Sequence, residues 1–246
     1  MTVFLIEKSL TGICSALFYA FTERIIPDGV FPHGTITRNF IDHYIEIEND
    51  GEKARRVLRA LKKYGEENIS EHIKTCLLSC IDAAVKIAFD YAHFTLSERR
   101  DVSTFLADKR VSDFYYTIKT VMNENHRLKG FIRFKETANG ILYAPYSPDN
   151  DITELLCLHF LSRLSNVPFI IHDVKRNKAG VSNGKRFKIM TTETDALLNL
   201  SKDELSWENL WKNYYKAVNI KERKNKKQQD NLMPLRYRKF LPETYE

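Results

Sequence analysis

The side chains best suited to proton transfer lie between residues 159 and 173. At helical spacing His159 and Arg163 share a stripe with Ile152, Leu155 and Leu156, and Asp173 follows in the next apolar run. Brought together, these three and His172 would form an acid/base or phosphate-handling cluster. A structural network is the competing reading. Cys157, Leu158, Leu161 and Leu164 make the other sides of the helix apolar too, so the helix reads as buried, and a buried Arg163 needs the acceptor that Asp173 offers. The network is preferred, because lone histidines on helices are usually packing residues and no nucleophile accompanies these. Catalytic roles for His159, Arg163 and Asp173 stand as the alternative.

Cys76 and Cys80, at i,i+4, would share a face of one long helix and offer two thiolates to a metal. That face also carries Ile69, Ile73, Leu77, Ala84 and Ala88, so both read as small packing hydrophobes, and no metal or other cofactor is expected. A phosphate-binding glycine loop, H-E-x-x-H and G-x-S-x-G are all absent. Four cysteines in 246 residues give neither a C-x-x-C pair nor a disulfide framework, so reduced thiols are expected.

A second kind of chemistry is contact with a polyanion. From Lys212 to Lys239 ten Lys or Arg stand against Glu222 and Asp230, a net +8 in a chain whose total is +6. The remainder is therefore −2. Such a concentrated field suits nucleic acid, with Arg223, Lys226, Lys227, Arg236 and Tyr237 as the tail's contacts. Further candidates come from strand faces. A strand over Gly130–Lys135 would turn Phe131, Arg133 and Lys135 one way and Ile132 and Phe134 the other, and Arg186 and Lys188 divide in the same manner from Phe187 and Ile189. Solvated or covered faces are the plainer account of the same pattern.

The elements that must position these residues follow from periodicity and punctuation. Thr2–Ile6 predicts a strand; Ser9 caps a helix through Ile25; Ile26–Thr37 reads as a loop; Ile41–Glu48 alternates as a strand. Asp50 opens a helix that stops at Gly65, and Glu66–Phe94 reads as one long helix. A soft boundary at Ser97 divides residues 1–96 from 97–246. In the second part, strands Gly130–Lys135 and Ile141–Tyr146 flank an Asn139-Gly140 turn, and a helix follows from Asp151 with Glu154 completing a capping box. Phe169–Arg176 and Lys185–Met190 make a second hairpin around Gly180 and Asn183-Gly184. A last helix opens at Ser201, boxed by Glu204, and should bury Leu205, Leu210, Trp211, Tyr214 and Val218. The expected class is α+β: mostly helical with antiparallel hairpins and a strand-strand-helix-strand-strand core in the C-terminal half. With 43% hydrophobic residues and no apolar run near 20 residues, a soluble cytoplasmic protein without membrane contact is expected.

Three blocks taken together resemble a known family. They are Glu124-x-His126-Arg127-x-x-Gly130-Phe131-x-Arg133-Phe134; His159-Phe160-x-x-Arg163 leading to Asp173-x-x-Arg176; and Trp211-x-x-Tyr214 leading to Ile220-x-Glu222-Arg223-x-Asn225, Gln228 and Pro234-x-Arg236-Tyr237. The chain resembles the bacterial family labelled probable DNA metabolism protein, a domain of unknown function encoded beside a putative DNA-repair radical-SAM protein. Some relatives are fused to a uracil-DNA glycosylase superfamily domain. The resemblance implies DNA and a radical-SAM protein as partners, and adds Arg127 and Arg176 to the candidate nucleic-acid contacts. It supplies no catalytic residues. The opening departs from the family's Tyr-Asp-Gly-Ser-like turn, carrying Ile6-Glu7-Lys8-Ser9 instead, and Arg238 stands in place of an aromatic residue. The expected role is an accessory protein that holds nucleic acid for a partner enzyme. A DNA-processing enzyme and a pure protein-interaction module are the alternatives.

Overall fold

The computed structural model describes residues 1–192, 200–220 and 225–244. The chain is α+β and divides into two compact units, Met1–Asn123 and Glu124–Glu246.

The first unit is built on a three-stranded parallel sheet in the order β2-β1-β3, from β1 (Thr2–Ile6), β2 (Gly29–Pro32) and β3 (His43–Glu46). The unbroken apolar run of β1 marks a strand covered on both faces, and Val3 to Ile6 are all buried. Ser9 caps α1 (Leu10–Glu23) by accepting the Gly12 N–H at 3.0 Å, and Asp50 caps α2 (Gly51–Tyr64) by accepting from Glu52 and Lys53. Two expectations fail. The segment read as a loop over 26–37 contains β2, whose terminal Pro32 is tolerated because the strand lies at the sheet edge. The long helix over 66–94 is two, α3 (Ile69–Leu77) and α4 (Ala84–Glu98). The chain tightens at the break through Leu78 N–H to Thr75 O and Ser79 N–H to Cys76 O, and the Ser79 hydroxyl then accepts from Ile81 N–H at 3.1 Å. The two cysteines therefore do not share a helix face: Cys76 is buried in α3 and Cys80 is exposed beyond its end.

Helix α5 (Lys109–Phe131) runs across the sequence position that divides the units. Its last turn takes in Gly130 and Phe131, so the strand expected at Gly130–Lys135 shrinks to β4 (Lys135–Glu136). The turn to β5 (Leu142–Tyr146) forms with Gly140 alone at positive φ (73°). After α6 (Thr153–Arg163) come β6 (Phe169–Asp173), β7 (Lys178–Ser182) and β8 (Phe187–Thr191), completing a five-stranded mixed sheet in sequence order. β5 and β6 are parallel across α6; the remaining pairs are antiparallel. The residues read as the loop of one hairpin thus contain β7, a central strand whose Lys-Ala-Gly-Val-Ser sequence carries one β-branched apolar residue and a glycine, too little signal to stand out. Gly180 in β7 lets α6 lie against it: a Cβ there would fall 2.0 Å from the Cys157 sulfur. The capping box at Asp151 does not form. Ile152 holds the cap position without a side-chain bond, and Asp151 instead pairs with Lys178 at 2.7 Å.

The remaining elements are α7 (Glu204–Ala217), α8 (Lys226–Leu232), α9 (Leu235–Arg238) and a short 3-10 turn at Pro242–Thr244. Among the described residues no helix is long and apolar enough to cross a membrane, and no group of three or more His, Cys, Asp or Glu is placed to hold a metal ion.

Candidate nucleic-acid interface

Glu124, near the end of α5, is the carboxylate around which the second unit is tied. Its Oε1 accepts from the Asp149 N–H (2.9 Å) and the Tyr237 hydroxyl (2.6 Å), and its Oε2 from the Asn150 N–H (2.8 Å) and Asn150 Nδ2 (2.6 Å). Burial by itself would raise the Glu124 pKa, but these donors outweigh it and hold the carboxyl below the usual range. Arg236 reaches Asp149 at 2.6 Å and Glu124 at 3.5 Å. The Pro148–Asn150 loop is fixed from its other side by Arg176, which donates to the carbonyls of Pro148 and Asp149 and pairs with the buried Asp173 at 2.8 Å. Asp173 also accepts the Lys175 and Arg176 N–H groups. Arg236, Tyr237 and Arg176 are therefore structural ties, and Tyr237, only 2% exposed, presents no stacking face.

The His159, Arg163 and Asp173 cluster is not assembled. Asp173 ends β6, buried and paired with Arg176, whereas Arg163 is exposed in the last turn of α6. Arg163 is not a buried guanidinium, and the acceptor assigned to it belongs to Arg176. His159 is half-buried against Phe160; burial, with Lys129 and Arg163 nearby, lowers its pKa and favours the neutral ring. His172 is held at both ring nitrogens, by the Tyr143 hydroxyl at 2.8 Å and the Thr192 hydroxyl at 3.1 Å.

A different constellation forms where β4 meets α7. The Ser201 N–H donates to the Glu136 carbonyl, and the Glu204 carboxylate accepts the Glu136 N–H at 2.8 Å rather than closing a capping box with Ser201. Glu208 accepts from Lys135 (3.3 Å) and Lys212 (2.9 Å), and these cations, Lys212 first, lower its pKa. α7 thus docks through the carboxylates of Glu204 and Glu208, and the burial expected of its apolar residues does not occur. Trp207, Trp211 and Tyr214 are 61%, 37% and 57% exposed. At i, i+4 and i+7 they lie in one stripe, with the Trp211 and Tyr214 rings 5.7 Å apart. Leu205, Leu210 and Val218 are exposed as well.

Glu243 sets the position of Trp211. Its buried carboxylate accepts from the Trp211 indole N–H (2.9 Å) and from Arg133 Nη2 (2.6 Å), and the Arg133 guanidinium lies 5.2 Å from the Trp211 ring centre. Arg133, Lys135, Glu204, Trp207, Glu208 and Trp211 line a cleft of about 340 Å3. Arg133 Nε is buried with no acceptor among the described residues, while its Nη1 donates to the carbonyls of Gly130 (2.8 Å) and Ile132 (3.3 Å).

The other expected contacts are scattered. Lys135 is committed to Glu208 and Phe131 packs 6.0 Å from Tyr237. Arg127, Arg186, Lys188, Lys226 and Lys227 are exposed; Arg223 lies outside the described residues. The basic sheet face is not formed as expected, because Phe131 is helical and Lys188 sits on the edge strand β8. Sequence reasoning missed Trp207, Glu208 and Glu243. The spacing of Trp207, Trp211 and Tyr214 was visible, but periodicity alone reads such a stripe as core.

A family model for a domain of unknown function, DUF4130, matches residues 82–243, well over half of the chain. No curated protein matches it.

Proposed function

We propose, for a chain that belongs to the DUF4130 family of unknown function, that it binds nucleic acid through the aromatic stripe of α7 and the cleft beside it. The observation that carries this reading is the exposure of Trp207, Trp211 and Tyr214 along α7. Flat rings stack on bases of any sequence, worth about 1–3 kcal/mol per base, while exposed cations of the chain, Lys226 and Lys227 among them, meet the phosphates. Bases must be unstacked to use such a surface, so the preferred ligand is a single strand or a locally opened duplex. The cleft's volume, within the usual range of about 300–1,000 Å3 for small-ligand sites, suits one base or sugar-phosphate turned into it.

The resemblance to the probable DNA metabolism family supports DNA as the nucleic acid and a radical-SAM protein as the enzyme for which the strand is held. In this reading the chain supplies the grip and its partner the chemistry.

The chain's two tryptophans are both in the stripe, so tryptophan fluorescence, excited selectively over the tyrosines, reports on this site. Titration with a single-stranded oligonucleotide should quench it to saturation. The W207A/W211A double variant should lose about ten- to hundred-fold in affinity by fluorescence anisotropy of a labelled strand. Unquenched tryptophans in protein that carries no bound strand would make the exposed stripe a protein-docking surface instead.

A further inference from the structure

Helix α2 carries six Lys or Arg in 14 residues, Lys53, Arg55, Arg56, Arg59, Lys62 and Lys63, against Glu52 alone. Its apolar side, Ala54, Val57 and Leu61, is buried, which turns the cations outward. Summing charge over the whole first unit hides this cluster, because acidic residues elsewhere in the unit offset it. The helix lies outside the residues matched by the family model.

The cations wall a cleft of about 770 Å3 between α2 and α3, to which α2 contributes Arg55, Arg56, Arg59 and Lys62 and α3 contributes Lys74. The opposing charges in the lining are Glu52 and Glu71, and Glu71 pairs with Lys74 at 2.8 Å. Positive charge remains in excess. Arg55 and Arg59 are steadied by donating Nε to the carbonyls of Gly51 (3.1 Å) and Arg55 (3.4 Å), and the Arg56 guanidinium lies 5.2 Å from the Phe18 ring centre. Ser70, in the same wall, has a buried hydroxyl with no partner among the described residues. Like charges at i,i+4, as in Arg55/Arg59 and Arg59/Lys63, oppose helix formation, so the arrangement costs stability that an anion would return.

We propose that this cleft binds the phosphate backbone of a nucleic acid, as a second contact remote in sequence from the α7 stripe. The inference deepens the proposed function and rests on its ligand class but on none of its residues. A backbone fits better than a single anion because Arg55, Arg59 and Lys62 form a row about 10 Å long rather than a converging cage. A lipid surface fits less well, since the apolar side of α2 is spent in the core and nothing is left to insert.

The test uses the full-length chain and its R55Q/R59Q/K62Q variant with a labelled single-stranded oligonucleotide, following anisotropy and tryptophan quenching between about 50 and 200 mM salt. Each lost phosphate contact lowers the slope of log affinity against log salt by about 0.7 on a single strand, so three contacts lower it by about 2. Over that range the wild type should lose roughly fifteen-fold more affinity than the variant, with unchanged quenching at saturation. R55K/R59K keeps the charge and should retain the wild-type slope, which separates electrostatics from packing. An unchanged slope in the neutralised variant overturns this proposal and leaves the stripe standing. A reduced slope without quenching in either protein overturns the stripe and leaves this proposal standing. Binding to vesicles of phosphatidylserine and phosphatidylcholine without oligonucleotide binding overturns both.

Discussion

Glu124 keeps its charge in a site sealed from water because four donors converge on it, and removing that charge exposes what depends on it. Glu124→Gln sets an amide NH2 against donors that need an acceptor, and should destabilise the second unit by about 2–4 kcal/mol in urea titrations at neutral pH. The sign of the pH dependence follows from the depressed pKa. Glu124's contribution is complete above the unfolded value near 4.3 and is lost as pH falls through the lower folded value, so the variant's stability should fall less steeply in acid. Asp173→Asn should be destabilising too, but through Arg176 and not through Arg163, so Arg163→Ala should leave stability within about 0.5 kcal/mol. The thiols offer a further check. Burial pushes Cys14, Cys76 and Cys157 up to about 12, while Cys80 is exposed, so a thiol reagent should modify one cysteine in the native chain and four in denaturant.

Among the elements, those with strong local signals were legible in the sequence: β1 from its apolar run, α1 and α2 from their caps, and α6 from its periodicity. Those decided by distant contacts were not. β7 is a strand because β6 and β8 pair with it, and its Gly180 matters because α6 lies close. Gly180→Ala should cost about 1–3 kcal/mol by chemical denaturation, since the new Cβ meets the Cys157 sulfur, and Cys157→Ala in the same chain should recover much of that loss. α7 inverts the usual rule. Its apolar residues Leu205, Leu210, Trp211, Tyr214 and Val218 were expected in the core, but the helix docks through the carboxylates of Glu204 and Glu208, which line one cleft with Trp207 and Trp211. Trp207→Ala and Tyr214→Ala should therefore leave the melting temperature nearly unchanged while weakening nucleic-acid binding, and a large drop in melting temperature would return the stripe to the core.

At the scale of the whole molecule, a net charge of +6 does not describe where the field lies. Of the tail's cations, Lys212, Arg236 and Arg238 are spent in ion pairs with Glu208, Asp149 and Asp230, whereas Lys226 and Lys227 are exposed. Salt-dependent binding should accordingly weaken in K226Q/K227Q without loss of stability, and R236Q should lower stability with a smaller effect on the salt slope. Truncating the tail would confuse the two effects, because Tyr237 fills the Glu124 site. The sequence by itself determined what each short segment could be: the α+β class, the capped helices of the first unit, the aromatic spacing of α7 and the basic excess near the C-terminus. These are local properties, fixed by periodicity, caps and charge counts. The tertiary structure alone decided that α7 docks through Glu204 and Glu208, that Asp173 answers to Arg176, and that the cations of α2 wall a cleft. Each of those depends on pairing between residues distant in sequence, where competing partners of similar chemistry are separated only by geometry.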